Sequence, residues 1–392
     1  MNLGKTENTV LKSYLPRLIQ LRHTLHRHPE LSGQEIDTSR MLIEYISQYH
    51  PDHIITEIAG HGFAVIFNGK TPGPTVMFSG ELDALPIEET NHFSYRSTQT
   101  HVSHKCGHDG HMASVTALVP LLSKTPLEKG RVVLLYRPAE ETGQGAALMI
   151  SDPKYSEIIP DYVFGFHNLP GFPLGHIVIK SNAMNWASSG MIIHLTGKTS
   201  HAAHPENGIS PAIAMCHIME EILQLTTRSD FNDQKNSCII GYSRLGEKSL
   251  GTSPGNAEIG LILRSETDNG LSLLFDDGKQ IVEKHAANHS LGYTIEWKDK
   301  FNATFNNEVA VSLVEQAAYD LNYTVVQQKQ AMKWSDDIGE LISRSTGAYF
   351  CIGSGENSPQ LHNPDYDFPD SLIEIAGNIF FRIAQQILNI QI

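Results

Sequence analysis

The segment VVLLYRPAEETGQGAALMI, residues 132–150, contains the pattern that decides the fold. Its first five residues form a short apolar run, which is typical of a strand buried on both faces. Residues 143–150 then favour a helix. Similar apolar runs, separated in several places by helical stretches, predict strands at residues 64–67, 75–78, 162–166 and 177–179. Strands that alternate with helices predict an α/β domain with a central mixed sheet flanked by helices.

A different pattern begins near Asn182. The sequence predicts strands at residues 191–196, 237–242, 258–264 and 293–297, and helices at 210–226 and 271–289. Ser210 is the expected N-cap of the first of these helices. The resulting β-α-β-β-α-β order predicts a smaller ferredoxin-like α+β domain. We therefore expect a large discontinuous domain, residues 1–183 and 300–392, with a small domain, residues 184–299, inserted into it.

Length and charge limit the class of protein. The chain has 392 residues, a formal net charge of −14 and a sequence pI near 5.8. A negative surface repels phosphates, so we expect neither nucleic acid nor an anionic membrane as a partner. No apolar run approaches the roughly 20 residues that a membrane helix needs. Residues 1–10 are polar and lack the apolar core of a signal peptide, so we expect a cytoplasmic protein.

The four cysteines are widely spaced and do not resemble a disulfide framework. Cys216, Cys238 and Cys351 have apolar neighbours, which predicts buried thiols in the protein core. Cys106 differs, because its neighbours are histidines and an aspartate.

The segment HKCGHDGH, residues 104–111, is the strongest local signal for a functional site. It contains one thiol, three imidazoles and one carboxylate. A thiol between histidines is a natural ligand for soft or borderline metal ions. Gly107 and Gly110 would let the backbone turn so that alternate side chains converge. The alternative interpretation is a polar surface loop with a chance cysteine.

Glu140 and Glu141 follow the strand at 132–136, at the end where α/β sheets place their functional sites. Neighbouring side chains point in different directions. One carboxylate can therefore hold a metal ion while the other takes the proton of an attacking water molecule. The alternative is a solvated helix start, where the helix dipole favours acidic residues.

Three further motifs are weak when taken alone. His167 ends an apolar strand, where a hydrogen-bonded core histidine is the common alternative. His362 lies in the segment LHNP, residues 361–364. Glu81 and Asp83 would face the same side of an extended chain. A capped turn before Pro86 explains those two acids equally well.

Together these motifs resemble the metal-dependent amidohydrolases of bacteria and plants, which are aminoacylase-like metallopeptidases. That family contains hippurate hydrolases, N-acyl-amino-acid hydrolases, N-acetyl-diaminopimelate deacetylases and hydrolases of auxin–amino-acid conjugates. The resemblance spans about residues 21–370. It rests on segments in family order: RHTLHRHPELS (22–32), CGHDGH (106–111), PAEE (138–141), GFH (165–167), SHAAHP (200–205) and LH (361–362).

The resemblance implies a site for two divalent metal ions in the large domain, which is then the catalytic domain. Asp83 matches a carboxylate that supports the site, and Glu140 matches the general base. Zinc, manganese, cobalt or nickel would suit the mixture of sulfur, nitrogen and oxygen ligands. The family's ligand positions fall on Cys106, His108, Glu141, His167 and His362.

For the inserted domain, the resemblance implies a lid and dimerisation role in a homodimer. His201 matches a histidine that stabilises the oxyanion, often in the active site of the partner subunit. Arg264 matches an arginine that binds the substrate carboxylate. Without the resemblance, we would interpret His201 as a turn histidine and Arg264 as a surface charge at a strand end.

The chain departs from the family pattern at several positions. Ser79 replaces an arginine, and Glu81 replaces an aspartate. In the inserted domain, Glu206 replaces a histidine, Ser210 replaces an aspartate, and Gly251 replaces an asparagine that often contacts substrate. These changes spare every proposed ligand and the proposed base. Our hypothesis is that the hydrolytic chemistry is retained and the substrate preference has shifted.

The sequence therefore predicts a metal-dependent hydrolase that cleaves the amide bond of small N-acyl amino acids or peptide-like conjugates. A dipeptidase or a deacetylase of the N-acetyl-diaminopimelate type is the alternative within the hydrolases. A catalytically silent metal-binding protein on the same fold is the alternative from another class. A serine hydrolase is disfavoured, because the one Gly-x-Ser-x-Gly match, GTSPG (residues 251–255), lies between two predicted strands and not in the strand–turn–helix context of a nucleophile elbow.

Overall fold

The structure is a computed structural model that describes residues 4–226 and 235–390. The chain forms two compact units. The larger unit contains the residues up to Met184, then Thr304–Gln330, and then the residues from Asp336 onward. The smaller unit contains Asn185–Ala303 together with the short segment Ala331–Ser335.

Helices and strands alternate along most of the described chain. The α-helices are α1 (Gly4–Arg27), α2 (Ile36–Ser47), α3 (His108–Thr116), α4 (Leu118–Leu122), α5 (Gly145–Ser151), α6 (Ala212–Leu225), α7 (Asp268–Asn288), α8 (Glu308–Asp320), α9 (Gly339–Ile342) and α10 (Ser371–Leu388). The strands are β1 (His53–Ile58), β2 (Gly62–Asn68), β3 (Thr71–Glu81), β4 (Lys129–Arg137), β5 (Tyr162–Pro170), β6 (Ile177–Ile179), β7 (Asn182–Asn185), β8 (Ala187–Thr196), β9 (Ser200–His201), β10 (Asn236–Leu245), β11 (Thr252–Ser253), β12 (Asn256–Ser265), β13 (Gly292–Phe301), β14 (Thr304–Asn306), β15 (Val325–Gln327) and β16 (Thr346–Gly355).

The larger unit is built on an eight-stranded mixed sheet. Its strand order is β1-β2-β4-β3-β5-β16-β6-β15. The central pairs β4–β3, β3–β5 and β5–β16 are parallel, whereas β1–β2, β2–β4 and β16–β6 are antiparallel. The expected α/β domain with a central mixed sheet is therefore present.

The central strands are apolar because both of their faces are covered. In β4, successive residues Val132, Val133, Leu134 and Leu135 are all fully buried. A sheet with one solvated face would instead alternate apolar and polar side chains. Helices α1, α3 and α10 pack together against one face, and their apolar residues join those of β3, β4 and β5 in one core.

The smaller unit has the ferredoxin-like arrangement. Its four strands pair antiparallel in the order β10-β12-β8-β13. The chain order β8-α6-β10-β12-α7-β13 is the β-α-β-β-α-β order that the sequence predicts. Apolar residues of α6 and α7 form a core with those of β8 and β12.

Three local expectations need correction. The helix α6 begins one residue late: Pro211 is its N-cap, although the Ser210 hydroxyl still accepts from the Ala212 amide at 3.4 Å. Cys216 is exposed, because it lies on the outward face of the amphipathic helix α6. Gly110 makes no turn and lies inside α3, where a Cβ atom would come within 2.3 Å of the Phe368 ring.

Of the helices in residues 4–226 and 235–390, none is both long enough and apolar enough to cross a membrane.

Candidate metal centre

The carboxyl ends of the parallel strands β4, β3 and β5 lie side by side in the larger sheet. Asp83 follows β3, Glu140 and Glu141 follow β4, and His167 lies near the end of β5. All four side chains are buried or nearly so. The topology therefore brings together four acidic or imidazole side chains from three separate segments, at the sheet edge where α/β proteins place their sites.

The segment 104–111 supplies two more side chains to this edge. Gly107 is the N-cap of α3 and has a φ of 97°, a left-handed conformation that favours glycine. A Cβ atom at Gly107 would also lie 2.6 Å from the Asn168 amide oxygen. Only glycine fits this position, and the turn that it makes directs Cys106 and His108 toward the same place. Cys106 is 8% exposed and His108 is 1% exposed.

His362 completes the cluster from a loop far along the chain. Its φ of 65° is also left-handed, and its backbone amide donates to the carbonyl of Lys105 at 2.8 Å. This bond ties the loop to the residue that precedes Cys106. The ring remains about half exposed, with Nε2 at 3.8 Å from Oε1 of Glu141.

Side chains of this cluster form three overlapping groups in which one possible ligand atom of each residue lies within 4.8 Å of the others. Cys106 belongs to two of the groups, and His108 belongs to two as well. Every residue for which the sequence predicts a metal ligand appears in at least one group, and so does Glu140. The groups are Cys106–His108–His167, Cys106–Glu141–His362 and His108–Glu140–Glu141.

Hydrogen bonds fix which nitrogen of two rings faces the cluster. Nδ1 of His108 donates to the carbonyl of Asp83 at 2.8 Å, and Nδ1 of His167 donates to the carbonyl of Asn168 at 2.8 Å. In the neutral form of each ring, the form that binds a metal ion, the lone pair is therefore on Nε2. In His167, that atom lies 3.4 Å from Sγ of Cys106. Such bonds at the remote nitrogen are the usual way in which proteins orient metal-binding imidazoles.

Among the ligand candidates, two buried atoms lack a hydrogen-bond partner within the described residues: Nε2 of His108 and Oε1 of Glu141. They lie 3.8 Å apart, too far for a hydrogen bond. Nε2 of His108 lies 3.8 Å from Oε2 of Glu140 as well. Tetrahedral zinc bonds of 2.0–2.2 Å would place two such ligand atoms roughly 3.3–3.6 Å apart. The spacing and the unpaired atoms fit a divalent cation between these side chains.

The raised pKa values of the acidic groups in the cluster also indicate a place suited to positive charge. Burial, together with the charges of Asp336 and Glu141, raises the pKa of Glu140 well above its usual range. Burial and the charge of Asp83 raise the pKa of Glu141 to about 7, against the opposing charge of His108. Burial likewise raises the pKa of the Cys106 thiol. Metal cations would favour the ionised form of all three groups.

Asp83 supports the cluster through contacts with the residues around it. Its Oδ2 accepts from the Ser32 hydroxyl at 2.7 Å and from the backbone amide of Glu141 at 2.9 Å. Its Oδ1 lies 3.4 Å from Nδ1 of His108. The carboxylate therefore holds the backbone of Glu141, which follows β4, and lies next to the ring of His108 at the start of α3.

A network centred on Arg137 is a part of the site that the sequence analysis missed. The guanidinium is fully buried at the end of β4 and contacts three carboxylates: Glu81 at 2.7 Å, Asp337 at 3.1 Å and Asp336 at 3.2 Å. It also donates to the Ser79 hydroxyl at 2.7 Å. The family resemblance places an arginine at position 79, so the neighbouring strand supplies the positive charge that Ser79 lacks. The sequence does contain one signal for this network, because an arginine directly follows the predicted buried strand and precedes Pro138.

Glu81 links this network to α3. One carboxylate oxygen accepts from Arg137, and the other lies 2.5 Å from Nδ1 of His111. Nε2 of His111 lies 2.6 Å from the Asn168 side-chain oxygen. Hydrogen bonds therefore engage both ring nitrogens of His111. Although His111 lies in the same histidine-rich segment as Cys106 and His108, it supports the site and is not among the proposed ligands.

A second buried charge network holds the loop that carries Cys106. Nζ of Lys105 donates to Glu89 at 2.6 Å and to the carbonyl of Tyr366 at 2.8 Å. The ring of His26 lies between two carboxylates, with Nδ1 at 2.9 Å from Asp109 and Nε2 at 3.0 Å from Glu89. The Asp109 carboxylate also pairs with the buried Arg22. The segment RHTLHRHPELS therefore supports the site rather than lining it.

His201 and Arg264, for which the sequence predicts substrate contacts, belong to the smaller unit. His201 is exposed, and its Nδ1 accepts from the Ala203 amide at 3.0 Å, so its ring proton is on Nε2. Arg264 is partly buried and donates to the carbonyl of Lys333 at 2.9 Å. Burial lowers the pKa of Arg264 from its usual value.

Comparison with known proteins identifies relatives along nearly the whole chain. The model of peptidase family M20/M25/M40 matches residues 77–386. An N-acetyldiaminopimelate deacetylase from Priestia megaterium is 26% identical over 366 residues, which cover 93% of this chain and 96% of that protein. A hippurate hydrolase from Campylobacter jejuni is 25% identical over 372 residues, which cover 94% and 96% of the two chains.

Solved structures share the fold. A dinuclear metal-binding peptidase of the M20 family from Bacillus subtilis aligns with a TM-score of 0.80 at 24% identity. The alignment covers 97% of this chain and 100% of that protein. This similarity confirms the predicted fold class, a mixed sheet flanked by helices with an inserted α+β domain.

Proposed function

Since the chain belongs to peptidase family M20/M25/M40 and is a hydrolase of amide C–N bonds, we propose that it cleaves small N-acyl amino acids with two bound divalent metal ions. One observation carries this proposal: side chains from four distant segments of the larger unit converge, and a spare acid lies beside them. The convergent residues are Cys106, His108, Glu141, His167 and His362, and the spare acid is Glu140.

The grouping of the ligand atoms supports two ions rather than one. Cys106 is shared between the group with His108 and His167 and the group with Glu141 and His362. Each of these two groups would offer a cation sulfur and imidazole ligands, and Glu141 would add a carboxylate to one of them. Zinc, manganese, cobalt and nickel all accept such mixed donors. When bound, such ions polarise a carbonyl and lower the pKa of a coordinated water molecule.

The residues of the chain supply the remaining chemistry. Glu140 is 5% exposed and has Oε2 at 3.8 Å from Nε2 of His108, so its carboxylate lies next to the ligands without being needed as one. We assign it the general-base role: it accepts a proton from the attacking water and passes it to the leaving amine. Asp83 orients His108 and the backbone of Glu141.

Two residues of the smaller unit have chemistry suited to substrate recognition. The Nε2–H group of His201 can donate to the oxyanion that forms as the amide is attacked. The guanidinium of Arg264 can pair with the carboxylate of an N-acyl amino acid. These two roles rest on the family resemblance together with the exposure of His201 and the permanent charge of Arg264.

The substrate class follows from the relatives' names. Two relatives along nearly the whole chain are named for N-acetyldiaminopimelate and for hippurate, both of which are N-acylated amino acids. Our proposal that this chain shares the class, with a different preference within it, rests on the changed residues Ser79, Glu81, Glu206, Ser210 and Gly251. Homodimer formation and a cytoplasmic location remain predictions.

A substrate panel tests the proposal. Metal-free protein is loaded separately with zinc, manganese, cobalt or nickel and is incubated with N-acetyl amino acids, N-benzoyl amino acids and dipeptides. We expect release of free amino acid from at least one N-acyl substrate, and release slowed roughly 10²–10⁴-fold in the Glu140→Gln variant. Turnover of dipeptides alone would indicate a dipeptidase. Metal binding without any turnover would indicate a catalytically silent protein and would refute the proposal.

A further inference from the structure

A second cluster of possible metal ligands lies in the smaller unit, between helices α6 and α7. Its members are His217 of α6, His285 of α7 and His289, which is the C-cap of α7. One ring nitrogen of each histidine lies within 4.8 Å of those of the other two. We call this group the three-histidine cluster. It shares no residue with the candidate metal centre.

The helices bring these rings together by simple periodicity. His285 and His289 are four residues apart, so they lie on the same face at the end of α7. The ring of His217 lies opposite, with its centroid 5.3 Å from that of His285 and 6.2 Å from that of His289. The cluster is open to solvent on one side, because His285 is buried, His289 is partly buried and His217 is exposed.

A carboxylate next to the cluster orients its innermost ring. Oε1 of Glu221, one helical turn beyond His217 on α6, lies 2.9 Å from Nε2 of His285. Nζ of Lys284 holds the other oxygen of this carboxylate at 2.5 Å. Nε2 of His285 therefore carries a proton, and the lone pair is on Nδ1. This pairing of a carboxylate with a histidine is the support that metal-binding imidazoles commonly have.

We infer that the three-histidine cluster is a site for one zinc-like divalent cation, which would link α6 to α7 in the inserted domain. Three imidazole nitrogens favour zinc, nickel, cobalt or copper and disfavour magnesium and calcium, which prefer oxygen. Solvent can supply the fourth ligand from the open side. The carbonyl groups at the end of α7 add partial negative charge near the ion.

Binding requires a small closure of the cluster. Zinc–nitrogen bonds of 2.0–2.1 Å at tetrahedral angles place ligand nitrogens roughly 3.3 Å apart. Side-chain rotation of His217 and His289 can provide this closure, because neither ring is enclosed by the protein core. The ion would then stabilise the pairing of two helices that contact each other and pack against the smaller sheet.

The experiment counts bound zinc in the full chain. Metal-free wild-type protein and the variants His217→Gln and His289→Gln are equilibrated with a zinc buffer at micromolar free ion, and zinc per chain is measured after removal of unbound metal. We expect each variant to hold one zinc less than the wild type. His53→Gln, a change of an exposed histidine on β1, serves as the matched control and should hold the wild-type number.

Two readouts separate this site from the candidate metal centre. The variants should hydrolyse amide substrates at the wild-type rate, since neither residue belongs to that centre. Glu221→Gln should weaken the additional zinc roughly 10–100-fold, as loss of a carboxylate partner does elsewhere. Equal zinc content in the wild type and in both histidine variants would overturn the inference, whatever the outcome of the substrate panel.

Discussion

Arg137 donates to the hydroxyl of Ser79 at 2.7 Å across the parallel pair β4–β3. The same guanidinium contacts the carboxylates of Glu81, Asp336 and Asp337, and it has no exposed surface. Position 79 is where the family resemblance places an arginine. The positive charge at this point of the sheet is thus retained, although it reaches the carboxylates from the neighbouring strand.

The first prediction concerns the cost of removing this charge. Arg137→Gln would leave three buried carboxylates without a cation, and breaking buried pairs in this way costs roughly 3–5 kcal/mol. We expect that loss in the free energy of unfolding, measured by urea denaturation followed by circular dichroism. The double variant Ser79→Arg/Arg137→Gln should recover much of it, because the new guanidinium starts from the strand that carries Glu81.

Arg131 offers a matched control on the same strand. It is partly exposed and donates to the Thr75 hydroxyl and to the carbonyl of Glu157, each at 2.8 Å. Arg131→Gln should cost only about 1–2 kcal/mol, as expected for hydrogen bonds from a partly exposed guanidinium to neutral oxygens. If Arg137→Gln costs no more than this control, the three carboxylates do not depend on Arg137.

The second prediction separates the base from the ligands. Glu140→Gln should keep the bound metal and lower turnover roughly 10²–10⁴-fold, which is the usual contribution of general acid–base catalysis. Glu141→Gln should instead lower metal content. Turnover and metal per chain are measured on the same preparations. Wild-type turnover in Glu140→Gln would remove Glu140 from the base role, and full metal content in Glu141→Gln would remove Glu141 from the ligand set.

Most of the fold can be predicted from the sequence, because buried strands and helices leave clear patterns of apolar residues. Residues 132–136 form a continuous apolar run since β4 is covered on both faces. The strand β1 could not be predicted, because it is an edge strand in which only Ile58 is fully buried, so neither a clear alternation nor a long apolar run marks it. The segment Ala331–Ser335 joins the smaller unit although it is distant from that unit in sequence, which local patterns cannot show.

The candidate site could be predicted where one short motif carries several ligands. Cys106 and His108 are in one segment, and Glu140 and Glu141 in another. The network around Arg137 could not be predicted, because Asp336 lies 199 positions away from it and nothing in the local sequence links them. The motif around His362 was a weak signal for the same reason. The hydrogen bond from its backbone amide to the carbonyl of Lys105 forms only when the chain folds.

The third prediction tests whether one thiolate serves two ions. Cys106 belongs to two of the three ligand groups, so Cys106→Ala should weaken the binding of both metals, and His362→Ala should affect mainly one. Metal per chain is measured in a zinc buffer of decreasing free concentration. Cys216→Ala, which removes an exposed thiol of α6, is the control and should match the wild type. A Cys106→Ala variant that retains one ion with unchanged affinity would contradict a shared thiolate.

The fourth prediction is a pH dependence of stability that arises from His26. Both ring nitrogens face carboxylates, and a neutral imidazole has only one N–H, so the ring must be an imidazolium to donate to Asp109 and Glu89 together. Burial lowers the pKa of His26, but the charge of Asp109 and the hydrogen bonds to Asp109 and Glu89 outweigh burial and raise this pKa to about 9.

The sign follows from proton linkage. A histidine of ordinary pKa near 6.5 in the unfolded chain binds its proton more weakly than the folded protein does, so folding is favoured at low pH. The stabilisation is complete below about pH 6.5, falls as pH rises, and is gone once pH has passed through about 9. Its full size is on the order of 3 kcal/mol, since each unit of pKa shift corresponds to about 1.4 kcal/mol.

Urea denaturation of the metal-free protein at intervals from pH 6 to pH 9.5 measures this effect. The wild type should lose stability steadily over that range, whereas His26→Gln should start less stable and lose far less. Other groups that titrate near pH 9 affect both proteins equally, so the difference between the two curves isolates His26. Parallel curves would mean that the ring is not charged in the folded protein, and Asp109 and Glu89 would then need another source of positive charge.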